Sequence, residues 1–192
     1  MTKRVVLAGV VGGIAMFVWA SLAHMVLPLG RAGIREIPDE RTVLNSMHSV
    51  LGGSSGLYMF PGLGAGGDMQ QYEQKLAANP SGILIYHPPG AKALTAPQLI
   101  TEFLTELVEA LLLVWLIALS RLESVSSRLG FAVLAGLLAA ITTNIPYWNW
   151  YGFPASYTLA YMTTEIVGFL LAGLVAARML GRPSPRSAAL AA

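Results

Sequence analysis

Four carboxylates lie where the sequence is otherwise apolar. Glu102, Glu106 and Glu109 fall in the run from Leu99 to Leu119, and Glu165 falls in the run from Tyr157 to Ala177. On a helical wheel of about 100° per residue, Gln98, Glu102, Thr105, Glu106 and Glu109 share an arc of about 100°, opposite Leu104, Leu107, Val108 and Leu111. At a rise of about 1.5 Å per residue, Glu106 lies about 10 Å and Glu109 about 15 Å beyond Leu99, and Glu165 lies about 12 Å beyond Tyr157. An ionised carboxylate at that depth in hydrocarbon costs roughly 3 kcal/mol or more, and acids sharing a face repel one another. Such groups must be paired, hydrated or protonated, and the chemistry open to them is to hold a cation or pass protons.

Three further polar residues join this layer. His24 lies just inside the end of the first apolar run, Asn144 just inside that of the third, and Tyr161 shares a helical face with Thr158, Glu165, Gly168, Ala172 and Ala176. Each has a structural explanation too. Glu102 follows Pro97 closely enough to favour the positive end of a helix dipole. His24 suits a hydrogen-bonded position at a membrane interface. Thr143 and Asn144 suit bonding between helices, and Tyr147, Trp148, Trp150 and Tyr151 suit an aromatic belt. For Glu106, Glu109 and Glu165 a functional reading is the default for acids at such depth.

The elements that must carry these residues follow from length and hydropathy. Of 192 residues, 55% are hydrophobic and 11% charged, too few charges for an ordinary water-soluble domain. Runs near 20 apolar residues cross about 30 Å of hydrocarbon. Four are expected: Val5 to Leu27, Leu99 to Leu119, Leu129 to Ile145 with Pro146 at its outer end, and Tyr157 to Ala177. Lys3 and Arg4 precede the first, Arg121 and Arg128 lie between the second and third, and Arg178, Arg182 and Arg186 follow the fourth. Basic residues mark cytoplasmic ends, so both termini are expected inside and the long segment before the second run outside. The first run also fits a signal peptide, with its basic start and Ser21-Leu22-Ala23. Apolar residues continue through Met25, Val26 and Leu27, which favours an uncleaved helix.

The external segment is too long for a structureless loop. Pro38-Asp39-Glu40 opens a helical pattern carried by Val43, Leu44, Met47 and Leu51 and stopped by Gly52-Gly53. A second short helix is expected over 68–78. Leu57-Tyr58-Met59-Phe60 and Ile83-Leu84-Ile85-Tyr86 are apolar runs bounded by Gly and Pro that can pair as strands. Gly62-Leu63-Gly64-Ala65-Gly66-Gly67 lacks the strand and helix context of a nucleotide-binding loop. Gly9 and Gly13, and the ladder Ala132, Gly136, Ala140 and Asn144, provide small faces for close helix packing.

The expected fold class is therefore an all-α membrane protein: a four-transmembrane-helix bundle, N-in/C-in, with a small mixed α/β extracytoplasmic loop domain between helices 1 and 2. The divisions are transmembrane helix 1 over 1–28, the cap over 29–97, transmembrane helices 2–4 over 98–180, and a cytoplasmic tail over 181–192. The stretches Trp19 to Gly30, Ile37-Pro38-Asp39-Glu40 and Leu57 to Gly62 resemble a group of small bacterial four-helix integral membrane proteins without an assigned activity. That resemblance, over about the first third of the chain, implies topology and the inner membrane of a bacterium, but no substrate.

Several functions are excluded. With no Cys there is no disulfide, iron–sulfur ligation or thiol nucleophile. Three His, of which only His24 lies in a strongly apolar run, cannot pair as axial haem ligands on facing helices. Basic residues are dispersed, which argues against nucleic acid. The leading reading is a non-enzymatic membrane protein in which Glu106, Glu109 and Glu165, with Glu102, His24, Tyr161 and Asn144 around them, handle a cation or protons from the external side. No cofactor is required and no catalytic residue can be assigned. That reading calls for a homo-oligomer, since four helices are few for transport; the first alternative is a non-catalytic accessory subunit whose acids pair with Lys or Arg of another membrane protein. The second is a carboxylate and His metalloprotein, which the absence of a Glu-x-x-His spacing disfavours.

Overall fold

The structure, a computed structural model, describes residues 2–181. Its elements are α1 (Lys3–Met25), a 3-10 turn (Pro28–Arg31), α2 (Glu40–Leu51), β1 (Gly56–Phe60), α3 (Met69–Ala78), β2 (Gly82–Tyr86), α4 (Ala96–Leu119), α5 (Val125–Tyr151) and α6 (Ala155–Met179). They divide into a helical unit, Met1–Ile34, Leu94–Asn149 and Phe153–Ala192, and a smaller unit, Arg35–Ala93 with Trp150–Gly152. The tail expected over 181–192 lies, apart from Gly181, outside the described residues.

Among the described residues three helices are long and apolar enough to cross a membrane: α1, α5 and α6. This corrects the expected four-transmembrane-helix bundle. α4, expected as the second crossing, is not one of the three, because Glu102, Glu106 and Glu109 charge this helix of 24 residues between positions 102 and 109. An N-in/C-in arrangement needs an even number of crossings, and it falls with the fourth. α5 also differs from expectation. It runs through Pro146 to Tyr151, since a proline removes a single N–H donor and the helix carries on for five more residues.

Small residues set the packing of the helical unit. α4 lies antiparallel to α1, with a Cβ built on Gly9 only 3.0 Å from Leu111 Cα and one on Gly13 only 2.7 Å from Leu107 Cα. The Gly9/Gly13 pair is therefore the groove that receives the α4 backbone. The Phe17 and Phe103 rings continue the contact edge to face at 5.5 Å. On its other side α1 meets α6, where a Cβ on Gly12 falls 3.4 Å from that of Ala172 and Gly168 faces Met16 and Trp19. Trp19 Nε1 donates to Thr164 O at 2.9 Å. α6 in turn meets α5, with Gly136 against Phe169 and Ile166, and Gly173 against Ala132. The fully buried large side chains, Leu113, Val114 and Ile117, all lie on the C-terminal half of α4.

Side chains close two of the helix ends, the start of α4 and the end of α6. Thr95 and Gln98 form a reciprocal capping box at the start of α4, with Thr95 N donating to Gln98 Oε1 at 2.9 Å. At the far end Arg128 is buried, 5% exposed. Its guanidinium donates from Nε to Leu122 O at 2.8 Å, from Nη1 to Ala177 O at 3.3 Å and to Leu180 O, and from Nη2 to Gly181 O at 2.9 Å. The last turn of a helix leaves carbonyls without partners and carries partial negative charge. One arginine answers both for α6.

The smaller unit is a hairpin with two short helices. β1 and β2 pair antiparallel, Leu57 opposite Ile85 and Met59 opposite Ile83. Tyr86 OH donates to Gly52 O at 2.9 Å, which fixes one face of the hairpin to the end of α2. α3 starts on Asp68, whose Oδ1 accepts from Gln70 N at 2.9 Å and Gln71 N at 3.3 Å. Lys75 Nζ donates from α3 to Gly62 O at 3.4 Å.

Candidate functional site

The acids of interest sit on two helices of the helical unit. α4 displays Glu102, Glu106 and Glu109 at successive turns because their spacing of four and three residues keeps them on one stripe. α6 presents Glu165. Glu106 and Glu109 are each near enough to Glu165 for their charges to interact, and Glu102 is near enough to both of them. The layer is less enclosed than the sequence suggests. Glu106, Glu109 and Glu165 are half-buried and Glu102 is exposed; the three on α4 precede its Leu113 to Ile117 core, and Glu165 lies in the first half of α6.

Asn144 comes to this place from α5. Its Nδ2 donates to Glu165 Oε2 at 3.0 Å and to Ala140 O, also at 3.0 Å. The ladder that seats α5 on α6 thus ends in a polar contact, which joins the interhelical role expected of Asn144 to the acidic residues. Among the described residues the charges acting on Glu106, Glu109 and Glu165 are other carboxylates, and no Lys or Arg is paired with them.

His24 and Tyr161 belong to a different feature. His24 is exposed, and its Nδ1 lies 2.9 Å from Ala20 O one turn back in α1. Its ring meets Tyr161 edge to face at 5.3 Å. From there aromatic rings follow one another: Tyr161 stacks on Tyr157 at 4.3 Å, Tyr157 meets Phe153 at 5.1 Å, and Phe153 stacks on Tyr147 at 5.5 Å. Tyr161 is one helical turn from Glu165. The array therefore runs from the end of α5 to the edge of the acidic residues.

The sequence reading did not single out Tyr157 or Phe153, although the four-residue step from Tyr157 to Tyr161 is a stacking distance on a helix. Thr158, noted only as a member of the Glu165 face, is 5% exposed. Its Oγ1 has no hydrogen-bond partner among the described residues. Nor, among those residues, do any three His, Asp or Glu converge closely enough to hold a metal ion.

Together these features define a helical protein with three helices able to enter a membrane, carrying half-buried acids beside an aromatic array. Compared with protein-family models, curated proteins and solved structures, the chain matches none.

Proposed function

We propose that this is a non-enzymatic integral membrane protein whose carboxylates Glu106, Glu109 and Glu165 bind a cation, in competition with protons, from the end at which α1 finishes and α4 and α6 begin. The observation that carries the reading is the set of three half-buried acids within interaction range of one another, with Asn144 as the one neutral donor on Glu165 and no basic side chain among the described residues to neutralise them. Close carboxylates in a poorly hydrated place favour whatever supplies positive charge. The unsatisfied Thr158 Oγ1 and the rings of Tyr157 and Tyr161 add a neutral oxygen and π faces on the same side of α6, both suited to a cation. The likeness of the segments around Trp19, Pro38 and Leu57 to small bacterial membrane proteins supports a bacterial inner membrane as the location.

The test is calorimetric titration of the protein in lipid nanodiscs with tetramethylammonium, choline and guanidinium chlorides, organic cations suited to carboxylates beside aromatic faces, between pH 5 and pH 8. One of these is expected to bind more tightly as pH rises, because deprotonation frees the carboxylates. Glu109→Gln is expected to weaken that binding by at least about tenfold, equivalent to roughly 1.4 kcal/mol. No binding by any of the three, or binding unchanged in Glu109→Gln, overturns the reading.

A further inference from the structure

We propose that the open face of the β1–β2 hairpin is a lipid-docking surface that lies flat on the headgroup region of the bilayer, with Leu57, Met59 and Ile85 dipping into it. Residues directly opposite in an antiparallel pair point to the same side, so Leu57 with Ile85 and Met59 with Ile83 make one apolar face. The opposite face carries Tyr86, whose hydroxyl is bound to the end of α2. The first face is open: Leu57 is 69%, Ile85 65% and Met59 57% exposed. Tyr72 OH, 3.9 Å from Met59 Sδ, touches it at the margin.

Three observations point to lipid as the occupant. First, the hairpin has no charged residue on it or near it in sequence. Residues 42–67 and 76–91 contain no Asp, Glu, Lys or Arg, whereas edge strands that face water are commonly guarded by charge. Second, the unit cannot leave the surface. Arg35 follows Met25, the end of a helix able to cross the membrane, by ten residues, a reach of at most about 35 Å. Third, the same unit includes Trp150 and Tyr151, the end of α5, another such helix. Trp150 is 79% exposed, and tryptophan at the end of a span settles among headgroups.

The depth follows from the backbone. Each strand has one unpaired edge, and unpaired N–H and C=O groups are not tolerated in hydrocarbon. The sheet must therefore stay at the hydrated level, with only side chains below it. Over 35–93 the unit carries four Lys and Arg against five Asp and Glu, so docking needs no anionic lipid.

The chain has no cysteine, so a single label reports one site. Leu57→Cys, Ile85→Cys and, as a solvated reference on α3, Glu73→Cys are each labelled with an environment-sensitive nitrobenzoxadiazole dye in the full chain, reconstituted in phosphatidylcholine vesicles. The dye at positions 57 and 85 is expected to emit to the blue of that at 73 and to be quenched several-fold more by lipids bearing a shallow doxyl group. Emission like that at 73, quenched by iodide, overturns the proposal. Blue-shifted emission that doxyl lipids do not quench also overturns it, since a protein surface, a second copy included, then covers the face. The unmodified chain provides an independent reading. Met59 is expected to be oxidised by hydroxyl radicals several-fold more slowly than Met69 in the same vesicles, and equal rates count against docking.

Discussion

The helical unit and the unit built on residues 35–93 are stabilised in different ways. The first closes on itself through small residues: Gly9 and Gly13 admit α4 to α1, Gly12 and Gly168 let α1 and α6 approach, and Gly136 and Gly173 let α5 and α6 approach. Close backbone approach is how helices associate where apolar burial alone gives little advantage. The second has hydrogen-bonded local structure but, among the described residues, buries a single hydrophobic side chain, Tyr86. Its α2 turns Val43, Leu44, Met47, Val50 and Leu51 to one side and buries none of them, and Val50 is 80% exposed. A unit of that size without a core has little to offset its ordering entropy in water. One region carries its packing partners within the sequence, and the other depends on its surroundings.

That contrast can be broken by substitutions, and the largest effect is expected at Arg128. Arg128→Ala removes four donor contacts and leaves the end of α6 unanswered. Loss of roughly 3 kcal/mol is expected in reversible unfolding from detergent, while hydrogen exchange on α3 stays unchanged. Gly13→Ala comes next. Its methyl would press on Leu107 Cα, and overpacking of this kind costs about 1–3 kcal/mol, read as a lower unfolding temperature and increased protease access at α4. Asp68→Ala is expected to be the smallest, about 1 kcal/mol through loss of the α3 cap, seen as faster amide exchange over 69–78. If Asp68→Ala lowered the unfolding temperature of the helical unit as well, the two regions would not be independent in energy.

Much of the local structure was legible in sequence. The Gly52 stop ends α2, Asp68 caps α3, and the runs at 57–60 and 83–86 pair as strands, because each depends on residues within a few positions of it. The stripe of Glu102, Glu106 and Glu109 was also legible, since it follows from helical periodicity. Its consequence for α4 is not legible in the same way: the apolar side of the helix reads as a span, while three acids remove it from the helices apolar enough to cross. What the sequence could not show was pairing at a distance. Nothing local says that Asn144 reaches Glu165, that Gly13 meets Leu107, or that the backbone of α5 continues past Pro146. Arg128 reads as a marker of membrane orientation, and the three acceptors of its Nη groups lie 49 to 53 positions further on.

That separation has a consequence for biosynthesis. A chain is made from its N-terminus at about 5–20 residues per second. For the several seconds between translation of Arg128 and of the 177–181 stretch, the two Nη groups can be served only by water or lipid phosphates. The Nη groups thus meet their native acceptors only once the end of α6 has been made, and truncation of the nascent polypeptide just short of Ala177 would leave the start of α5 held to Leu122 O alone.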